Sequence, residues 1–222
     1  LPDLIKNLQI KQAQISSRLN RLIEMEVVVK NGLYYYLKDK LLRYWLKYVY
    51  RKRLKFIDSN PEQLCREFHD ELTRSIENFG CQSQKDLSAR IIELLHCFDN
   101  DALLINGRRY KLPLFRELTP KRICKTSGEC FDVIQAATAE GEWWIVLNTE
   151  SLAESDINLV LSESKKAAQK IQRCLLISLN NLDENARLKA LQERMWIWNE
   201  GELNALLDLY NKPYILRPIV AQ

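Results

Sequence analysis

The run Cys174-Leu175-Leu176-Ile177-Ser178-Leu179 is apolar at every position but one and lies between two stretches of helical pattern, Glu154 to Arg173 and Glu184 to Arg194. A strand with one wet face alternates apolar and polar residues, whereas a strand covered on both faces reads as a near-continuous apolar run. The segment therefore asks for a sheet held between helices. A further strand, Met195 to Trp198, and a helix, Glu202 to Leu209, follow it. Upstream, β-rich stretches at Ala102 to Ile105 and Arg109 to Leu112 flank Asn106-Gly107, a pair suited to the positive φ angles of a tight hairpin turn. Strands are also expected at Gly128 to Ile134 and Trp143 to Leu147, after two helices, Pro61 to Phe79 and Gln82 to Phe98, parted at Gly80-Cys81. Alternation of this kind indicates an α/β sandwich with a mixed sheet.

Charge is distributed unevenly along the 222 residues. Residues 1 to 60 carry 13 Lys/Arg against 5 Asp/Glu, a net +8, and residues 61 to 222 carry 20 against 24, a net −4. The basic end suits phosphate or an acidic protein surface; the remainder has no general attraction for nucleic acid. The polar, turn-prone segment Asp58-Ser59-Asn60-Pro61 is the expected boundary, giving domains at 1–57 and 61–222. The opening at Leu1-Pro2, directly in patterned sequence and without Met, gives the expectation of a piece of a longer protein.

No apolar run is long enough to span a bilayer, so no membrane partner is expected. The six cysteines form no CxxC pair and are too dilute for a disulfide framework, which points to a reducing cytoplasm. Cys65 with His69, and His96 beside Cys97, sketch a metal site on paper, but helix-buried cysteines acting as small hydrophobes account for the same residues. No Gly-rich phosphate loop, Ser/His/Asp set or nucleotide fingerprint is present, and with only two histidines most acid-base enzymes are out of reach.

In the basic end, Leu4, Ile5 and Leu8 line a first short helix, and Ile15, Leu19, Leu22 and Ile23 form the apolar stripe of a second. The other face of the second helix carries Gln14, Ser17, Arg18 and Arg21, side chains that hydrogen-bond to bases and phosphates. Two β-rich runs around Asn31-Gly32 follow, Val27 to Lys30 and Leu33 to Leu37, then a long basic helix from Lys40 to Ile57 with an apolar stripe of Leu42, Trp45, Leu46 and Val49. Helix, turn, polar-faced helix and hairpin in that order resemble a winged helix-turn-helix lacking its first helix. The resemblance implies double-stranded DNA as partner, with Gln14, Ser17, Arg18 and Arg21 in the major groove, Lys30 on the wing, and Arg51 and Arg53 on the basic helix as contacts. The competing expectation is a packing or interaction module that never meets nucleic acid. The segment Tyr36 to Trp45 resembles the join after the winged helix in a family of archaeal and bacterial P-loop ATPases, which implies an upstream ATPase domain in the same chain; a homo-oligomer stays open.

The order of elements after residue 61 resembles the restriction-endonuclease-like PD-(D/E)xK fold often found at the C-terminus of that ATPase family. Active members hold Mg²⁺ with an Asp on one strand and a Glu on the next, and a Lys two residues on activates water. Asp132 fits the first position, but Leu147 stands where the Glu belongs and Thr149 where the Lys belongs. The resemblance therefore implies a catalytically inactive nuclease-like domain, with no cofactor, working by binding rather than by catalysis. The alternative is an Mg²⁺-dependent nuclease with a migrated lysine. It would draw on Asp132, Glu142 and Lys165, with Glu150, Lys166, Lys170, Glu67 or Glu71 in reserve.

Overall fold

The computed structural model describes residues 11–50, 61–125, 128, 130–148, 152–166, 171–180 and 182–215. The expected helix at Leu4 to Leu8, the end of the basic helix with Arg51 and Arg53, and Thr149, Glu150 and Lys170 lie outside the described residues. The chain forms two compact units, residues 1–81 with 102–104, and residues 82–101 with 105–222.

In the first unit, α1 (Gln12–Glu24) buries Ile15 and leads into an antiparallel hairpin, β1 (Val28–Asn31) with β2 (Tyr34–Leu37). The turn is one residue further on than the Asn-Gly pattern suggests: Asn31 pairs with Tyr34, so Gly32 and Leu33 form the loop, with Gly32 at φ +59°. A glycine at the first loop position satisfies a II′-type turn, and this leaves the Asn31 side chain available for a longer-range contact. Its amide donates to the Leu104 carbonyl at 2.9 Å, and its Oδ1 accepts from the Leu104 N–H at 2.7 Å.

Asp39 caps the next helix, α2 (Lys40–Trp45), by accepting from the N–H groups of Leu41 and Leu42 at 2.8 and 3.1 Å. Within the described residues, α2 does not continue as an α-helix but widens into a π turn over Leu46–Tyr50. The five-residue period stacks Trp45 on Tyr50, ring centroids 5.4 Å apart, and turns Tyr48 inward. The anticipated stripe of Leu42, Trp45, Leu46 and Val49 is thereby displaced: Trp45 is exposed, and buried Tyr48 reaches Ser75 Oγ at 3.1 Å. Ser75 belongs to α3 (Pro61–Ser83), which runs straight through Gly80-Cys81 instead of breaking there. A lone glycine weakens a helix by about 1 kcal/mol but does not end it. The stop comes after Ser83, where Asp86 caps α4 (Leu87–Leu95) by accepting from the Ser88 N–H at 3.1 Å.

The strands β3 (Asp101–Ile105) and β4 (Arg108–Leu112) pair as a two-stranded ribbon through Asn106-Gly107, both at positive φ as a tight turn of this kind demands. The main sheet has five strands in chain order, β5 (Glu117–Cys124), β6 (Cys130–Ala137), β7 (Glu142–Asn148), β8 (Ile171–Ser178) and β9 (Trp196–Trp198). The first three form an antiparallel meander, and β7, β8 and β9 are mutually parallel. Parallel neighbours need crossovers, supplied by α5 (Glu154–Lys165) and α6 (Glu184–Gln192). α5 ends well before the expected Arg173, because the chain must already be extended at Ile171 to pair with Glu142.

The sequence pattern yields no strand at Glu117–Cys124, since most of its side chains are exposed and Pro120 interrupts it. Proline is tolerated on an edge strand, and β5 is an edge. With β5 in place, Cys124 falls opposite Cys130 and the two are disulfide-bonded, which corrects the expectation of unpaired cysteines.

Alternation along the strands creates two buried faces. One carries Val133, Trp144, Val146 and Leu176 and packs on Ile157, Val160, Ala186 and Ala190 of α5 and α6. The other carries Ile134, Ile145, Leu147 and Leu175, on the side where α4 meets β6, and α7 (Glu200–Leu209) meets β8 and β9. Full burial of each large aliphatic side chain contributes about 1.5–3 kcal/mol, and Ile134, Ile145, Leu175 and Leu176 are all fully buried. The result is a helix–sheet–helix sandwich with a mixed sheet.

Candidate functional site

Two groups of residues carry the chemistry anticipated from the sequence, one in each unit. In the first unit, Gln14, Ser17, Arg18 and Arg21 fall at i, i+3, i+4 and i+7 on α1, and all four are polar side chains outside the buried core. The spacing puts them on one stripe, which flanks the face that buries Ile15. Neither Arg18 nor Arg21 has an acidic partner among the described residues. Lys30 is exposed on β1 and holds its ammonium 5.6 Å from the centroid of the cross-strand Tyr35 ring. Tyr34, Tyr35 and Tyr36 are all half-buried, so the hairpin presents no fully exposed tyrosine. Glu26, the nearest acid in sequence to β1, is paired with Lys38 at 2.6 Å, and that bond holds its carboxyl below the usual range.

In the second unit the geometry centres on Asp132. Arg122, Asp132 and Leu147 form one row across β5, β6 and β7, so Leu147 sits directly opposite Asp132. Leu147 is buried and apolar. Each oxygen of the Asp132 carboxylate already has a donor. Arg122 Nε is 3.1 Å from Oδ1, and Ser88 Oγ, on the first turn of α4, is 3.2 Å from Oδ2. The Arg122 side chain is 70% exposed and that of Asp132 42%, so the pair stays in contact with solvent.

Within the second unit, neither Glu142 nor Lys165 is brought to Asp132. Glu142 pairs with Ala137 at the far end of β7, five positions from Leu147 and so roughly 17 Å away along the strand. Its carboxylate instead lies 3.4 Å from Trp144 Nε1. Lys165 ends α5, which leads to Ile171 beside Glu142, so it too belongs to the far end of the sheet. Lys166 is paired with Glu163 at 2.7 Å, and Glu67 and Glu71 lie on α3 in the first unit. Among the described residues, no three His, Cys, Asp or Glu side chains are placed to hold a metal ion. Cys65 is exposed on α3, and the Cys97 thiol donates to the Glu93 carbonyl at 3.2 Å, its pKa raised by burial.

Two partners of Asp132 carry no signal in the sequence. Arg122 sits on the edge strand that lacks apolar alternation, and Ser88 reaches Asp132 only through the packing of α4 against β6. A buried acid elsewhere serves the fold, since Asp156 accepts from the Ala153 N–H at 2.9 Å at the start of α5 and pairs with Lys125 at 3.0 Å. Glu93 is held by Lys85 and by Lys212, and the Lys85 hydrogen bond keeps its carboxyl below the usual range. Among the described residues no helix is long and apolar enough to cross a membrane. Comparison with protein families, with curated proteins and with solved structures finds no match to this chain.

Proposed function

We propose that the chain binds double-stranded DNA through α1 and the β1–β2 hairpin, and that its second unit is a nuclease-like domain without catalytic activity. The observation that carries the binding half is the polar stripe of Gln14, Ser17, Arg18 and Arg21, whose two guanidinium groups have no acidic partner among the described residues. Unpaired arginines on one helix face are what phosphate and base-edge recognition needs, and a hairpin beside the helix supplies a second point of contact.

The inactive half is supported by the row Arg122–Asp132–Leu147 and by the antiparallel meander followed by parallel strands. A metal-dependent nuclease needs a second oxygen ligand beside the aspartate and a cation to activate water. Leucine offers neither, and Arg122 and Ser88 each engage one oxygen of the carboxylate. In this reading the chain is the C-terminal, non-enzymatic region of a longer ATPase-like protein. A protein-docking role is the second reading, favoured by the exposed apolar side chains Met25, Leu33 and Leu41 around the same hairpin.

The test is incubation of the chain with mixed-sequence duplex DNA at low and moderate salt, with Mg²⁺ and Mn²⁺ present, followed by electrophoresis under native and denaturing conditions. Salt-sensitive retardation with intact strands is expected. Cleavage abolished in Asp132→Ala would overturn the inactive half, and absence of retardation at low salt would overturn the binding half and favour the docking role.

A further inference from the structure

Within the second unit, a cleft of about 740 Å³ opens between the β3–β4 turn, β9 and α6. Three arginines are among its lining residues: Arg108 and Arg109 from the start of β4, and Arg187 from α6. All three side chains are exposed, and none has an acidic partner among the described residues. Among the described residues of the lining the one acid is Glu202, which accepts from the Asn199 N–H at 3.0 Å as part of the cap of α7. The charged lining thus sums to a net +2 that nothing among the described residues neutralises.

The cleft runs along the edge strand β9, from Met195 just before it to Asn199 just after it, and takes in Ser178 at the carboxyl end of β8. One wall is apolar, formed by Leu182, Leu191, Met195 and Ile197, and the rim adds the amides of Asn106 and Asn180. The floor is fixed by aromatic packing, with Tyr110 set edge-on to Trp196 at 5.0 Å and to Trp198 at 5.7 Å. The turn is held close to α7, for a methyl on Gly201 would stand 3.5 Å from the Asn106 side-chain nitrogen.

We propose that this cleft binds a small phosphate-bearing ligand of about mononucleotide size, its phosphate held by Arg108, Arg109 and Arg187. A phosphomonoester carries between about −1.5 and −2 at neutral pH, matching the lining's surplus charge, and guanidinium forks bind its oxygens in pairs. The cleft is far larger than a phosphate group alone, so the apolar wall receives an organic body. This inference goes beyond the DNA-binding reading and does not depend on it, since it uses no residue of the first unit.

The experiment is calorimetric titration of the full chain at low salt with AMP, ribose 5-phosphate, inorganic phosphate and adenosine. AMP and ribose 5-phosphate are expected to bind more tightly than inorganic phosphate, and adenosine not measurably. Arg187→Gln, and separately the pair Arg108→Gln and Arg109→Gln, weaken AMP binding by roughly tenfold or more, as expected for loss of charge-assisted bonds. Arg116→Gln, outside the cleft lining, leaves it unchanged, and circular dichroism melts confirm that each variant is folded. Adenosine binding as well as AMP, AMP binding unaffected by the arginine changes, or no heat from AMP at millimolar concentration would each overturn the proposal.

Discussion

Gly32→Ala places a methyl group 2.0 Å from the Ala102 carbonyl oxygen and 3.2 Å from its carbon, where ordinary contact begins at 3.4 Å. The obstacle is backbone, so no side chain can rotate out of the way. The loop must lift away, and in doing so it gives up the two hydrogen bonds that Asn31 makes to Leu104 at 2.9 and 2.7 Å. Holding alanine at φ +59° costs about 1–2 kcal/mol by itself. Each broken hydrogen bond adds about 0.5–1.5 kcal/mol. Together these give a destabilisation of about 2–5 kcal/mol, a large share of the stability of an ordinary domain. Gly80→Ala is the matched control in the same unit: Gly80 is helical, nothing lies within 4 Å of its new methyl, and the change stabilises by about 1 kcal/mol. Urea denaturation followed by far-ultraviolet circular dichroism checks both, with a midpoint lowered by roughly 1 M or more for Gly32→Ala and raised for Gly80→Ala. Two variants of the same sign, or a Gly32→Ala midpoint equal to that of the parent, would refute the close approach of the hairpin to Ala102.

Glu93 is held in its charged form chiefly by its hydrogen bond to Lys85 and also by Lys212, so its folded-state pKa lies below the unfolded value of about 4.3. Its contribution to stability is therefore complete above that pH and disappears as the pH falls through the folded value; acid titration of Glu93→Gln should show a flatter loss of stability below about pH 4.3 than the parent. Cys174 behaves in the opposite sense, its thiol pushed up to about 11 by burial. The fold then loses stability as pH rises from about 8.5 towards that value, because unfolding releases the proton. At pH 8 Cys174 should react with iodoacetamide about 100-fold or more slowly than the exposed Cys65 and Cys81, as followed by mass spectrometry of the alkylated peptides.

The features legible in the sequence are mostly periodic or local. The continuous apolar run around Leu175 to Leu179 implies a sheet covered on both sides, and β8 is such a strand. Asn106-Gly107 marks its turn correctly because the required positive φ values are a property of those two residues. Signals that depend on partners distant in sequence are hidden. Edge strand β5 has little apolar alternation, so neither the Cys124–Cys130 bond nor the Arg122–Asp132 pair can be anticipated. Gly80 reads as a helix break because propensity is local, whereas the length of α3 and the cap at Asp86 decide where the chain turns. The π turn after Trp45 shifts the buried face by a residue, a change that no 3.6-residue periodicity reveals. The arginine-lined cleft joins β4 to α6 and has no sequence signature at all.

The central proposal, that the α1 stripe grips duplex DNA, is tested most directly by fluorescence anisotropy of a labelled mixed-sequence duplex titrated across a salt series. The parent chain is compared with a variant carrying Arg18→Ala and Arg21→Ala together. Removing one arginine–phosphate pair makes the slope of log affinity against log salt shallower by about 0.9, so the double variant should bind more weakly with a slope shallower by about 1.8. Identical slopes and affinities for parent and variant would contradict the assignment of that helix face to DNA.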